Sequence, residues 1–332
     1  MYAYPISPAE STYSVKQARS MRLREIERRA VQIVEEEYSE EIEQCNKQVE
    51  LDRLPDVNMI ELQPELEWYM RPYLLDFLVE SHLSLRLLPQ TLFLAVNLID
   101  RYCSRRVVFK KHYQLVGCAA LWIASKYEDK KDRVPTAREL KIMCCDAYEE
   151  DMFVQMEGHV LSTLEWSIGS PTCDIFVKQS LKNSNSDTLE NLSLYLCEMA
   201  LFQKSFLGFR PSVIASAAQV VAKHILQNRA GLAAATSADE AQCIALLSQY
   251  LMFSPSQSLQ KKYSSPAFSQ VALILQDFVV RQQHATSVLP PTPPPTDECI
   301  KITTPTNITT LPPISHITRP HSPEEPCSSG YV

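Results

Sequence analysis

The sequence predicts an all-α protein of two tandem helical bundles, preceded by a helix and followed by a disordered tail. Three observations carry that prediction. Glycine is scarce, 6 in 332 residues, far under the usual share of about 7%, so sheet hairpins and bulges have little to be built from. From residue 72 to 285 apolar residues recur at three- and four-residue spacing instead of alternating. The third observation is a repeat: a shift of 98 residues lays "VGCAALWIA" (116–124) on "IASAAQVVA" (214–222).

Residues 1 to about 14 are expected to be loose. From 15 to 50, "VKQARSMRLREIERRAVQIVEEEYSEEIEQCNKQVE" is heavily charged, yet Ile26, Ala30, Ile33, Val34, Tyr38 and Ile42 fit one helical face; the alternative is a solvated helix or short coiled coil. "QPELEWYMRP" (63–72) breaks that pattern. The next helix, 72 to 87, carries Leu74, Phe77 and Leu78, and its Asp76 and Glu80, one turn apart, read as a solvated face. Pro89 restarts the chain, and Leu92, Ala95, Val96, Ile99 and Cys103 are spaced for a helix over 90–103.

The helix over 112–127 is apolar on every side, which marks the central rod of a bundle. Small side chains let neighbours approach it from several directions. Shorter helices fit 136–145 and 150–164, with Pro135 just ahead of the first. "SIGSPT" links to the second group, where a shift of 100 residues also places Leu92, Leu94, Val96 and Ile99 on Leu192, Leu194, Leu196 and Met199. The resulting division is 1–35 N-terminal extension, 36–69 helix and lead-in, 70–168 first bundle, 169–285 second bundle and 286–332 tail. Half of the 22 prolines fall after residue 286, and such composition buries too little apolar surface to offset its ordering entropy.

Composition narrows the function. With 45% hydrophobic residues the chain can bury sizeable cores. A net charge of −7 speaks against a nucleic-acid scaffold, whose footprint is basic. The 10 cysteines contain no C-x-x-C and no Cys/His pair at zinc spacing, so they read as small hydrophobes of a reducing, intracellular compartment. No apolar run approaches the roughly 18 residues of a membrane span. Phosphate-cradling glycine patterns and H-E-x-x-H are absent. His159 and His224, inside apolar helices, read as core or rim residues. A binding module is therefore favoured over an enzyme, with no metal or cofactor.

One short stretch poses a sharper question. "AALWIASKYEDK" (119–130) passes from a helix with no polar stripe to Lys126 and a run of charges. A lysine there is explained by a helix C-terminus, a favourable interaction of about 0.3–1 kcal/mol, or by an interface.

Several segments together resemble the cyclins. "MRPYLLDFLVESHLSLRLLPQTLFLAVNLIDRYCSRR" (70–106) is similar to the opening of the cyclin box, "YQLVGCAALWIASKYED" (113–129) to its central helix, and "QMEGHVLSTLEW" (155–166) to its fifth. "LENLSLYLCEMALFQKSFLGFRPSVIASAAQVVAK" (189–223) resembles the second repeat, and "EEYSEEIEQ" with "QPELEWYMR" resembles the preceding helix and lead-in. The likeness covers roughly 36 to 285. It implies two five-helix cyclin boxes and a non-catalytic subunit that activates a cyclin-dependent kinase by holding the kinase's C helix in place, so that its glutamate pairs with the ATP-positioning lysine.

By that resemblance Lys126 and Glu157 are paired charges meeting the kinase, flanked by apolar contacts at Ile123, Tyr127, Tyr38 and Ile42. Arg71 and Asp100 are implied to form a structural ion pair between the first two box helices. A substrate-docking face is implied at Met70, Tyr73, Leu74, Phe77, Glu80 and Gln114. Pro72 and Tyr73 stand there where a small and an aliphatic residue are common, and Phe77 where a tryptophan is usual.

No R-x-x-L destruction box occurs in the first 60 residues, whereas the tail offers Thr292 and Thr304 before proline, Ser322 before proline, and Thr296 four residues past Thr292. This arrangement resembles the G1 cyclins of fungi, which implies action at the G1/S transition in nucleus and cytoplasm. It also implies a phosphorylated degron read by an F-box ubiquitin ligase. Two alternatives remain at this point: a transcription-type cyclin activating another kinase, and a twin-box DNA-binding transcription factor, which the acidic charge disfavours.

Overall fold

The computed structural model describes residues 8–182, 184, 186–227, 235–253 and 256–287. The tail and its Thr292, Thr296, Thr304 and Ser322 lie outside the described residues. Among those described there are helices and no strand. The chain begins with α1 (Pro8–Glu37), which starts earlier than the loose segment expected to residue 14. Proline suits a first helical position, because its missing N–H has no partner there in any case. Then come α2 (Ser39–Asp52) and the short α3 (Val57–Glu61).

The first bundle holds α4 (Met70–Ser84), α5 (Pro89–Cys103), α6 (Tyr113–Glu128), α7 (Ala137–Met143) and α8 (Glu150–Thr163). The second holds α9 (Cys173–Ser180), α10 (Asp187–Leu201), α11 (Pro211–Gln227), α12 (Ala238–Tyr250), α13 (Gln257–Tyr263) and a sixth helix, α14 (Val271–Ser287).

In the first bundle α6 is the rod. Every residue from Leu115 to Ser125 is buried, with α4, α5 and α8 packed around it. Gly117 admits α4: a Cβ there would lie 2.7 Å from Leu74 Cδ1. In the second bundle α11 has the same place, flanked by α9, α10 and α12.

The repeat is real, but its register differs from the sequence pattern in one helix. Helix α5 begins at Pro89 and α10 at Asp187, while α6 begins at Tyr113 and α11 at Pro211, a spacing of 98 in both cases. The apolar pattern suggested 100 for the first pair. Helix α5 is buried on almost every side, so apolar matching fixes its register poorly.

Local chemistry sets the helix ends. Thr136 and Glu139 form a reciprocal capping box at the start of α7. With glycine scarce, left-handed terminations fall to Cys145 and Asp146 after α7, and to Glu165 and Trp166 after α8. Among the described residues six cysteines are buried, as expected of small hydrophobes, while Cys45 and Cys145 are exposed. Among the described residues no helix is long and apolar enough to cross a membrane, and no cluster of His, Cys, Asp or Glu suits a metal ion.

Helix α1 takes the solvated alternative. Ile26, Ile33 and Val34 do form an apolar face, but it stays exposed among the described residues, where the main packing of α1 is against α2. Helix α2 is anchored: buried Glu50 accepts hydrogen bonds from the Ser212 backbone N–H (2.9 Å) and hydroxyl (2.7 Å) at the start of α11. A carboxylate there satisfies orphan donors and meets the positive end of the helix dipole.

Candidate functional site

Burial along α6 ends abruptly. Ala124 and Ser125 are fully enclosed, and Lys126 is the first side chain to emerge. Its ammonium lies 3.4 Å from the centre of the Trp122 ring and 2.6 Å from Glu157 Oε1 on α8. Trp122 is fixed in turn, its indole N–H donating to the Pro135 carbonyl at 2.7 Å. The lysine ammonium is thus held by an aromatic face and a carboxylate, both on packed helices, while its side chain stays 40% exposed. Ring quadrupole and carboxylate hold the same cation, so the charged pair is fixed in place within the chain itself.

The surrounding residues divide. Tyr127 is exposed beside the pair, and its hydroxyl passes so close to Gly169 that a Cβ there would meet it at 2.6 Å. Tyr38 and Ile42 are exposed at the junction of α1 and α2. Ile123 corrects the sequence reading: at 2% exposure it belongs to the core, because it lies within the stretch of α6 that is enclosed up to Ser125.

The Arg71 and Asp100 side chains meet in a buried bidentate pair, Nη1–Oδ1 2.5 Å and Nη2–Oδ2 2.9 Å, joining α4 to α5. Arg71 Nε also donates to the Leu201 carbonyl at 2.7 Å, so the same guanidinium reaches the end of α10 in the second bundle.

On the face of α4, Tyr73 and Glu80 are exposed and Met70 and Phe77 half-buried, as is Gln114 at the start of α6. Leu74 corrects expectation here: it is buried against Gly117 and is packing, not docking surface. Asp76 also departs from the solvated role expected of it, since the Ser256 and Ser258 hydroxyls donate to its carboxylate and join α4 to the start of α13.

Other structural residues escaped the sequence reading. Lys262 and Glu198 pair at 2.5 Å with both side chains almost wholly buried, and the Tyr263 hydroxyl donates to the same carboxylate oxygen at 2.7 Å. The partners of Glu50 and Asp76 lie far away in sequence, and no local spacing announces them. His159 sits at the rim, bonded to the Tyr102 hydroxyl at 2.7 Å, and His224 packs edge-on against Phe278; neither faces a nucleophile or metal cluster among the described residues.

The comparisons bear on this surface. Residues 41–169 match the cyclin N-terminal domain and 171–277 the cyclin C-terminal domain. The chain is 50% identical over 214 residues to the G1/S-specific cyclin CCN1 of Candida albicans, covering 58% of this chain and 31% of that protein. It is 40% identical over 190 residues to cyclin puc1 of Schizosaccharomyces pombe, covering 57% of this chain and 50% of that one. To the G2/mitotic-specific cyclin-B of Emericella nidulans it is 34% identical over 256 residues, 75% of this chain and 53% of that one. The chain therefore spans from a third to about half of these relatives' lengths. Two tandem bundles around small-residue rods, each matched by one of the paired domains, establish that the chain belongs to the cyclin family.

Proposed function

We propose that the chain is the regulatory subunit of a cyclin-dependent protein kinase and that the complex drives the G1/S transition. The observation that carries this reading is the clamped Lys126–Glu157 pair, presented at the rim of a rigid helix bundle. Similarity to G1/S-specific cyclins supports the G1 assignment over a mitotic or transcriptional one. In this reading the kinase supplies the chemistry. The cyclin supplies a surface whose charges and apolar neighbours Tyr127, Tyr38 and Ile42 dock the kinase's mobile helix, so that its glutamate reaches the ATP-positioning lysine.

The exposed part of α4 around Tyr73, with Phe77 behind it, docks substrates. Phosphorylation of Thr292 and Thr296, with Thr304 and Ser322 as further sites, recruits an F-box ubiquitin ligase to the tail. Each phosphate adds about −1.5 to −2 charges and three acceptor oxygens, which suit an arginine-lined pocket. The complex works in nucleus and cytoplasm.

The test is purification from the native cell extract. A cyclin-dependent kinase is expected to copurify, and the purified chain is expected to phosphorylate nothing alone yet raise that kinase's activity sharply. Copurification of a transcriptional kinase instead, or phosphoryl transfer by the chain itself, overturns the proposal. For the tail, Thr292→Ala with Thr296→Ala should lengthen the half-life in a translation-shutoff chase without changing kinase binding. Equal decay of variant and wild type would place the turnover signal elsewhere.

A further inference from the structure

Helix α1 precedes the region matched to the cyclin domains, which begins at residue 41, so the family fold does not account for it. It is 30 residues long, yet its apolar side chains face solvent: Leu23 is 52% exposed, Ile26 63% and Ile33 61%. Most helices in proteins owe their stability to a packed apolar face, and this face lacks one.

The charges are ordered along the same helix. "KQARSMRLREIERR" (16–29) holds six basic and two acidic residues, whereas "EEEYSEEIE" (35–43) holds six acidic and no basic ones. Charges so segregated along one helix point to a partner of reversed polarity, and a second α1 laid antiparallel has that polarity.

Leu23, Ile26, Ala30 and Ile33 follow the three–four spacing of a coiled-coil seam. With Ile26 opposite Ala30 of a second copy, Leu23 faces Ile33, giving four apolar layers in all. Extending the register outward brings Arg19 opposite Glu37 and Lys16 opposite Glu40, at both ends. The helical ladder persists through the bend at Tyr38, whose N–H bonds the Val34 carbonyl at 2.9 Å and whose carbonyl accepts from Ile42 at 2.9 Å, so the register reaches Glu40. At the centre Arg29 approaches its own copy, and Glu25 already pairs with it at 3.0 Å. A parallel arrangement would instead set Lys16 on Lys16, Arg19 on Arg19 and Glu37 on Glu37.

From this we infer that α1 is a self-association helix, through which two copies of the chain pair antiparallel, basic half against acidic half.

Sedimentation equilibrium on the full chain is the test. Wild type should show a concentration-dependent dimer. Lys16→Glu with Arg19→Glu puts like charges opposite each other at both ends and should weaken the dimer at least about tenfold. Lysine, arginine and glutamate have similar helix propensities, so the variant should leave α1 helical, which circular dichroism checks. Adding Glu37→Lys and Glu40→Lys restores opposite charges and should restore the dimer, while this fourfold variant should not pair with wild type. A chain that stays monomeric to about 100 μM, or a dimer indifferent to the double reversal or not rescued by the fourfold one, overturns the inference. So does a monomeric wild type whose kinase capture is abolished by the double reversal, since the face would then belong to the kinase.

Discussion

Lys126→Glu separates an interface role from a structural one, because the contacts of Lys126 within the chain set how much stability it supplies. The lysine gives up an ion pair at 2.6 Å, with its side chain 40% exposed and that of Glu157 16% exposed, and a position over the Trp122 ring. A pair of that exposure is worth at most about 1 kcal/mol, and the ring contact about 0.5–1 kcal/mol more. The variant also sets two carboxylates side by side. The free chain should therefore lose about 1–2 kcal/mol, lowering the melting temperature by several degrees, since about 1 kcal/mol shifts a chain of this size by 2–4 °C.

Kinase affinity should fall further. A desolvated hot spot costs 2 kcal/mol or more, about thirtyfold in Kd. The decisive variant is the exchange, Lys126→Glu with Glu157→Lys. It re-forms the ion pair and should recover much of the melting temperature, yet it presents inverted charges to the kinase and should stay deficient in binding. Calorimetric titration and thermal melts on the same preparations decide the matter. If the exchanged chain regains affinity in step with stability, the pair acts only inside the cyclin. If Lys126→Glu binds normally, the interface lies elsewhere.

His82 should make stability fall in acid. Burial, and then the nearby Lys262 charge, push its pKa down to about 3, while its Nε2–H donates to the Leu88 carbonyl at 2.7 Å. The unfolded chain binds a proton below about 6.5 and the folded chain does not, so stability is complete above that pH and drains as pH falls toward 3, by about 2 kcal/mol at pH 5. His82→Asn, an uncharged donor, should flatten this slope in urea melts at pH 5 and 7; an unchanged slope would refute the assignment. Glu50→Gln should cost about 1–2 kcal/mol by removing the charge at the start of α11, and limited proteolysis should then release α2 earlier. Lys262→Met or Glu198→Leu alone should cost about 3–5 kcal/mol, the double substitution markedly less, since each single variant strands a buried charge; equal losses on denaturation would contradict that reasoning.

Much of this fold was legible because its signals are local. Three–four apolar spacing, the glycine shortage and the fully apolar stretch 115–125 each follow from which residues a helix must bury, and a repeat of such a stretch implies a second rod. Lys126 was legible for the same reason, as the first charge after a run with no polar face. What the sequence could not decide was direction around nearly fully buried helices. Ile123 and Leu74 carry side chains that suit a core and an interface equally, and only tertiary packing buried both, Leu74 against Gly117 of α6 and Ile123 in the core. Nor could it decide the long-range ties, Glu50 to Ser212, Asp76 to Ser256 and Ser258, and Arg71 to the Leu201 carbonyl, because a hydrogen bond between distant segments leaves no periodicity in either. The sequence determined the helices, their repeat and the charged rim; tertiary structure decided which face of each helix meets solvent, because burial depends on neighbours that the chain brings together only on folding.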